Sequence, residues 1–387
     1  MKISKIAKIA AVAIAFGLVV TTPVQAAGLS ISGSGASFPA LLIEGCKAPF
    51  ATQSTAGDSY SYASSSSGTG QSNSDKSIGD FWMSDGAYTA ATRRASLIHV
   101  PLVAAPIAVL YNFPTTKKAL QLSAATIAGI FGGTITRWND PAIVADNNKA
   151  TLVTIYKKDR LGNPVKDATG KLVVLRTQTV NGNFTLPDQK ITVVYRSDSS
   201  GTSENFTNYL NKSASAVWTK AKSKVFKDSF PGNINSTDNL GRVVGAASST
   251  GVSQLAGKTP YSITYAEVNY AAANKLKIAN VINPAGNTVT PDSTGVGAFL
   301  ASATQDANGF LTYDYATKEP GAYPLGIVSY MLADTAYPDK AKAAAVKSIA
   351  TFILSSACAK DVGAKLGYSV IDGALLKKSL AQVAKIG

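Results

Sequence analysis

Histidine is almost missing from this chain: among 387 residues there is one, His99, beside two cysteines, Cys46 and Cys358, and three methionines. A serine hydrolase needs a histidine beside its nucleophile. His99 lies in the apolar run 96–110 and reads as a strand residue rather than a base, and no elbow motif surrounds any serine. So few Cys and His residues argue against a zinc or two-metal phosphatase centre, and neither a metal nor a cofactor is expected. A Walker motif is absent. Gly33-Ser34-Gly35-Ala36-Ser37-Phe38 opens like a dinucleotide fingerprint but lacks its third glycine. Acidic residues are the scarce charge, 23 against 37 Lys and Arg, so the chain carries +14. That excess calls for an anionic partner. Nucleic acid is not it, because the lysines are dispersed (Lys157-Lys158, Lys220/Lys222/Lys224, Lys377-Lys378) without aromatics between them. Steering of a small anion fits the pattern better.

Long hydrophobic runs are confined to the N-terminus. Lys2, Lys5 and Lys8 precede an apolar stretch over 9–20 and a small-residue cleavage site at Val24-Gln25-Ala26, which reads as a secretory signal over 1–26. The apolar run is short for a membrane span, and no cysteine follows it for lipid attachment. The expected product is exported and soluble, about 360 residues long, enough for two lobes with separate cores. An oxidising compartment permits a Cys46–Cys358 disulfide, which would join the first helix of the mature chain to its last long one.

Short β-like apolar runs alternate with helical patterns, the mark of an α/β fold. Strands are expected over 29–32, 99–110, 191–195, 261–265 and 325–332. Helices are expected from Pro39, near Ser67, over 124–131, from Ser203 and from Pro338. Residues 151–190 break the alternation: two strand-like runs and turn chemistry at 161–164 and 167–170 predict a protruding hairpin with a basic surface.

Four segments carry candidate chemistry. In Gly33-Ser34-Gly35-Ala36-Ser37-Phe38-Pro39, proline at the first helical position puts Ser37 and Phe38 at the cap. The run Ser64-Ser65-Ser66-Ser67-Gly68-Thr69 offers hydroxyls and a glycine that lets backbone approach a ligand. Asp85 ends an apolar stretch begun by Asp80. A carboxylate in an anion site accepts the proton that phosphate keeps at neutral pH and repels sulfate, which has none. The most specific segment is Arg196-Ser197-Asp198-Ser199-Ser200-Gly201-Thr202-Ser203. There a guanidinium suited to two oxyanion contacts is oriented by Asp198 and followed by amides and hydroxyls at a helix start. The alternative is ordinary capping for the first and third segments, a common serine-rich loop for the second and a capped helix with a surface ion pair for the fourth.

In order and spacing these segments resemble the periplasmic phosphate-binding proteins of phosphate ABC transporters, the PstS-like family. Further similarity lies in Thr126-Ile127-Ala128-Gly129-Ile130-Phe131-Gly132-Gly133 through Ile143, in 261–270 and in Tyr323-Pro324. The resemblance implies a two-lobed periplasmic-binding-protein architecture of type II, with a hinge and a ligand cleft between the lobes. Residues 27–110 and 291–387 would form one lobe and 111–290 the other, carrying the hairpin at about 151–190. It implies phosphate held by the Ser37 hydroxyl, the Phe38 amide, a hydroxyl of Ser66 (with Ser65 or Ser67 as alternatives), Asp85 as proton acceptor, and Arg196 positioned by Asp198. Ser200, Gly201 and Thr202 would complete the shell. It also implies a monomeric binding protein, not an enzyme, that serves a membrane permease from the periplasm. The hairpin and the cysteines depart from the usual pattern and leave a second reading, a phosphate-binding surface or adhesion protein with its basic arm on anionic polymers.

Overall fold

The computed structural model describes residues 28–387 except 90, 92, 114–118, 161, 182 and 183; the expected signal over 1–26 lies outside these residues. The chain begins with β1 (Ser30–Ala36), α1 (Ala40–Gln53), β2 (Ser59–Ser65), α2 (Ser67–Asp75), β3 (Phe81–Ser84) and the long β4 (Leu97–Asn112). There follow β5 (Gln121–Ser123), α3 (Ala124–Phe131), α4 (Pro141–Asn147), β6 (Ala150–Tyr156), β7 (Val174–Asn181), β8 (Thr192–Arg196) and α5 (Gly201–Ser213). Next are α6 (Phe226–Ser229), β9 (Val243–Ala246), α7 (Ser248–Lys258), β10 (Ser262–Glu267), α8 (Asn269–Ala273), β11 (Lys277–Ile278), β12 (Asn280–Ile282) and β13 (Thr288–Val289). The chain closes with α9 (Ser293–Leu300), β14 (Thr304–Gln305), β15 (Leu311–Thr312), β16 (Gly326–Asp334), α10 (Lys340–Leu354) and α11 (Gly373–Ala384). The expected α/β class holds, and so do all five predicted strands, each lengthened or shifted by a few residues. α3 spans the predicted 124–131, started by Ser123, whose hydroxyl accepts from Thr126 N.

One strand joins the two lobes. The main sheet runs β2-β1-β3-β16-β4-β10-β8-β9, with β11 also on β4. β4 pairs with β16 through Leu97 to Pro106 and with β10 from Ile107 to Asn112. Its side chains are buried along nearly the whole length, as expected of a strand covered on both faces. The two prolines of β4 fall where ladder bonds are dispensable. Pro101 stands opposite Tyr330, beside the register shift between Ser329 and Tyr330, and Pro106 at the change of partner. At that change Ile107 N donates to Leu325 O (2.8 Å) and Tyr323 OH donates to Ile107 O (2.8 Å). His99 is indeed a strand residue, its Nε2 accepting from Tyr88 N.

β6 and β7 form the antiparallel hairpin expected of the 151–190 segment. It does not stand free. Lys166 near its tip pairs with Asp372 (2.7 Å), and Lys171 with Glu319 (3.3 Å). Among the described residues, no single helix is long and apolar enough to cross a membrane.

Cys46, buried in α1, is bonded to Cys358, 312 positions further along the chain, with Cα atoms 5.4 Å apart. Cys358 is not in the last long helix, as the sequence reading had it, but in the π-helical turn Ser356–Gly363 after α10. The chain breaks direction at Ser355, which is extended (ψ 161) and carries the cysteine back onto α1. The covalent tie restricts the unfolded chain far more than the folded one. Replacing both cysteines by serine is expected to lower unfolding stability by about 3 kcal/mol in urea titrations, and reductant should then have no further effect.

Candidate functional site

Parallel strands send their carboxyl ends to one place. β1 is parallel to β2 and β3 in one lobe, and β8 is parallel to β9 and β10 in the other. Ligands of open α/β sheets bind outside such ends. Here the ends carry Ser37 and Phe38 (after β1), Ser66 and Ser67 (after β2), Asp85 (after β3), Arg196 (last of β8), Ser249 (after β9) and Glu267 (last of β10).

Arg196 is the centre of the cluster, a guanidinium only 2 % exposed. Its Nε donates to Asp198 Oδ1 (2.7 Å) and its Nη2 to Asp198 Oδ2 (2.5 Å), a bidentate pair. Burial opposes both charges, yet the pair raises the Arg196 pKa and holds Asp198 below its usual value. Asp198 is itself fixed by Ser248 N (3.2 Å). The remaining guanidinium nitrogen, Nη1, donates to Ser249 Oγ (3.2 Å), which in turn donates to Glu267 Oε1 (3.2 Å). Beneath this lies an aromatic bed. Tyr265 stacks on Phe206 (4.3 Å between centroids), accepts from Arg196 N (3.2 Å) and shares a hydrogen bond with Ser203 Oγ (2.6 Å).

Asp85 comes from the other lobe and is 3 % exposed. Ser329 Oγ donates to its Oδ1 at 2.7 Å. Among the described residues its Oδ2 has two longer contacts, Ser67 Oγ and Thr202 Oγ1, both at 3.3 Å. Thr202 belongs to α5 of the opposite lobe, as does Asn205, whose amide donates to Asp85 O (2.7 Å). Gly201 permits this approach, since a Cβ there would strike Ser67 Oγ and Asp85 Cβ. Gly68 does the same against Ser199, and its N donates to Ser199 O (3.0 Å).

Each of the other expected residues has a distinct place. Ser37 does not cap α1, whose N-cap is Pro39 without a side-chain bond. Proline at the cap rather than the first helical position leaves the Ser37 hydroxyl to reach across to Ser249, sharing a bond with its Oγ (3.3 Å) and accepting from its N (3.3 Å). Phe38 is buried, and its carbonyl accepts from Tyr368 OH (2.7 Å). Ser66 caps α2, accepting from Thr69 N (3.2 Å), so the neighbouring Ser67 turns its hydroxyl to Asp85. Ser200 caps α5 by accepting from Ser203 N (3.1 Å). Ser249, Glu267 and Ser329 escaped the sequence reading. Ser329 and Glu267 lie inside or at the end of apolar strand runs, and Ser249 starts a helix that has no side-chain cap. The rule that parallel strand ends share a cleft is the signal that could have found them.

The electrostatics are unusual for an anion site. Three carboxylates, Asp198, Asp85 and Glu267, surround one guanidinium. Burial pushes Asp85 up to about 6, while the Ser329 hydroxyl and the Arg196 charge restrain the rise. Burial pushes Glu267 to about 8, and its Oε2 has no hydrogen-bond partner among the described residues. Glu267 is therefore largely protonated at neutral pH. Among the described residues, no group of three or more His, Cys, Asp or Glu side chains could hold a metal.

A carboxyl group whose pKa is raised on folding stabilises the fold below its unfolded value, and that contribution disappears as pH rises through the folded value. Asp85 has already ionised above about pH 6, and His99, held down near 4 by burial, contributes only below its ordinary 6.5. From pH 6.5 to about 8 the loss thus traces to Glu267. Without added anion, wild type should lose on the order of 2 kcal/mol over that interval. Glu267→Gln should flatten the slope in urea titrations; an unchanged slope would refute the assignment.

The PBP superfamily domain matches residues 20–357. The chain is 33% identical over 309 residues to phosphate-binding protein PstS 3 of Mycobacterium tuberculosis, covering 76% of this chain and 71% of that protein. It is 29% identical to phosphate-binding protein PstS of Xylella fastidiosa, over 80% of this chain and 72% of that one. In fold it is similar to a phosphate-binding protein from Stenotrophomonas maltophilia (TM-score 0.63, 18% identity, 91% of this chain and 93% of that one). With a family match over most of its length and a phosphate-binding relative at 33% identity, the chain belongs to the PstS family of the PBP superfamily.

Proposed function

We propose that this protein binds inorganic phosphate between its lobes and delivers it to the membrane permease of an ABC transporter. The observation that carries the reading is that Arg196 and Asp85 are both buried and stand close enough for the guanidinium charge to act on the carboxylate. A permanently charged donor attracts an oxyanion, and a carboxylate acceptor admits one only if it brings a proton. The Gly201 and Thr202 amides, at the start of α5, add donors and a favourable helix dipole. Ser37, Phe38 and a hydroxyl of Ser66 or Ser67 approach from the facing lobe, and Ser200, Gly201 and Thr202 from the same side as Arg196. Asp198 serves by fixing the guanidinium.

The lobes are read as 27–110 with 291–387, and 111–290 with the hairpin, closing about the crossing near Ile107 and Leu325. The protein acts in the periplasm after removal of residues 1–26, as a monomer, and as a binder rather than a catalyst. That its relatives in Mycobacterium tuberculosis and Xylella fastidiosa are phosphate-binding proteins supports this reading. The adhesion alternative is weakened because two of the hairpin's cations, Lys166 and Lys171, are already paired within the chain.

Calorimetric titration with phosphate and sulfate tests the proposal. Wild type should bind phosphate and reject sulfate. Arg196→Ala should weaken phosphate binding by roughly a hundredfold or more, since it removes the charged donor. Asp85→Asn, which exchanges an acceptor for a donor, should raise sulfate affinity relative to phosphate. Equal binding of both anions by wild type would overturn the reading.

A further inference from the structure

The two oxygens of Asp85 are not equivalent. Oδ2 keeps acceptor capacity on the side of Ser67 and Thr202, whereas Oδ1 is occupied by Ser329 at 2.7 Å. This contact is built into the sheet. β16 runs antiparallel to β3 with Tyr330 opposite Ser84, so Ser329 stands opposite Asp85. On its other edge β16 shifts register, Ser329 facing Val103 and Tyr330 facing Pro101, which leaves Leu102 as an extra residue on β4. Such a bulge re-aims side chains. Here a serine with no exposed surface sits within a strand that is otherwise almost wholly apolar.

We propose that Ser329 is a specificity-setting positioning residue: by donating to Oδ1 it keeps Asp85 ionised and leaves Oδ2 as the acceptor for a ligand proton. The proposal rests on the phosphate reading above. Several ionisable groups face Asp85: Arg196 from β8, Glu267 from β10, Tyr62 from β2, and Tyr313 from the segment before β16. Of these only Arg196 favours the carboxylate, and it is already shared with Asp198. The short Ser329 bond is therefore the main local counterweight to burial. Without it Asp85 takes up a proton at higher pH and becomes a donor, which sulfate can use.

Phosphate and sulfate affinities of wild type, Ser329→Ala, Ser329→Cys and Ser329→Thr would be measured by calorimetry from about pH 5 to about pH 8.5. For the alanine and cysteine variants, the pH at which phosphate-over-sulfate selectivity collapses should rise by roughly one unit, with selectivity near neutrality falling roughly tenfold. Ser329→Thr, which keeps the hydroxyl, should restore the wild-type curve. The proposal is overturned if alanine and cysteine variants retain the wild-type selectivity profile, even when overall phosphate affinity falls. Failure of wild type to bind phosphate at any pH would instead sink the functional reading itself. The cysteine variant, nearly isosteric, keeps the test open if alanine disturbs the sheet.

Discussion

A single buried positive charge organises the cleft. Removing a guanidinium from water costs several kcal/mol unless it is paired and hydrogen-bonded. Asp198 meets that requirement along one edge with two short bonds. The Nη1 side is satisfied only by a neutral hydroxyl, Ser249. Two further carboxyl groups stand nearby, and were both ionised the cluster would repel any anion. Glu267 avoids this by staying largely protonated near neutrality. Asp85 ionises, but its charge faces hydroxyls rather than another cation's full complement of donors. On the proposed function, the cleft attracts negative charge through Arg196 and the helix starts, and Asp85 refuses an anion that lacks a proton.

The geometry follows from chain topology more than from the loops themselves. A strand of sixteen residues that changes partner midway forces two sheets to meet edge to edge. Because the neighbouring strands run parallel in each lobe, their loops point into the seam. Residues as distant as Ser37, Asp85, Arg196 and Ser329 then lie within a few bonds of one another. The proline at 106 is a chemical reason for the switch, since it removes the amide that would continue the β16 ladder.

How much of this was legible in the sequence depends on what each residue advertises. Arg196, Asp198 and the small polar run after them stand out because guanidinium, carboxylate and glycine in close order have few other uses. α3 was readable to the residue because a serine cap precedes an uninterrupted apolar segment. By contrast, the expected first strand stops at 32, yet β1 continues through 33–36, held by parallel partners on both sides. Glycine tolerated there reflects close neighbours such as Phe81 and Met83, which no local pattern reveals. Ser66 illustrates the same limit at finer scale: within four serines, backbone geometry alone assigns one to the cap and the next to the cleft. Ser249, Glu267 and Ser329 are neutral entries in apolar or unpunctuated stretches, and their meaning exists only once strands are paired.

Closure and discrimination are linked by where the contacts come from. Asp85 is carried by one lobe, but Thr202 and Asn205, which touch its carboxylate and its carbonyl, belong to the other. Gly68 to Ser199 and Lys224 to Gln71 (2.8 Å) add further bonds across the same seam. The acceptor is therefore complete, and shielded from water, only when the lobes meet. Solvent would screen the repulsion of a proton-free anion in an open cleft, whereas in the closed one it acts at nearly full strength. On the proposed function, an ion that cannot donate to Oδ2 thus opposes the closed state directly, and one that can donate stabilises it. Selectivity in this arrangement is a property of the closed form, because a ligand can shift the equilibrium only by its differential affinity for the two states.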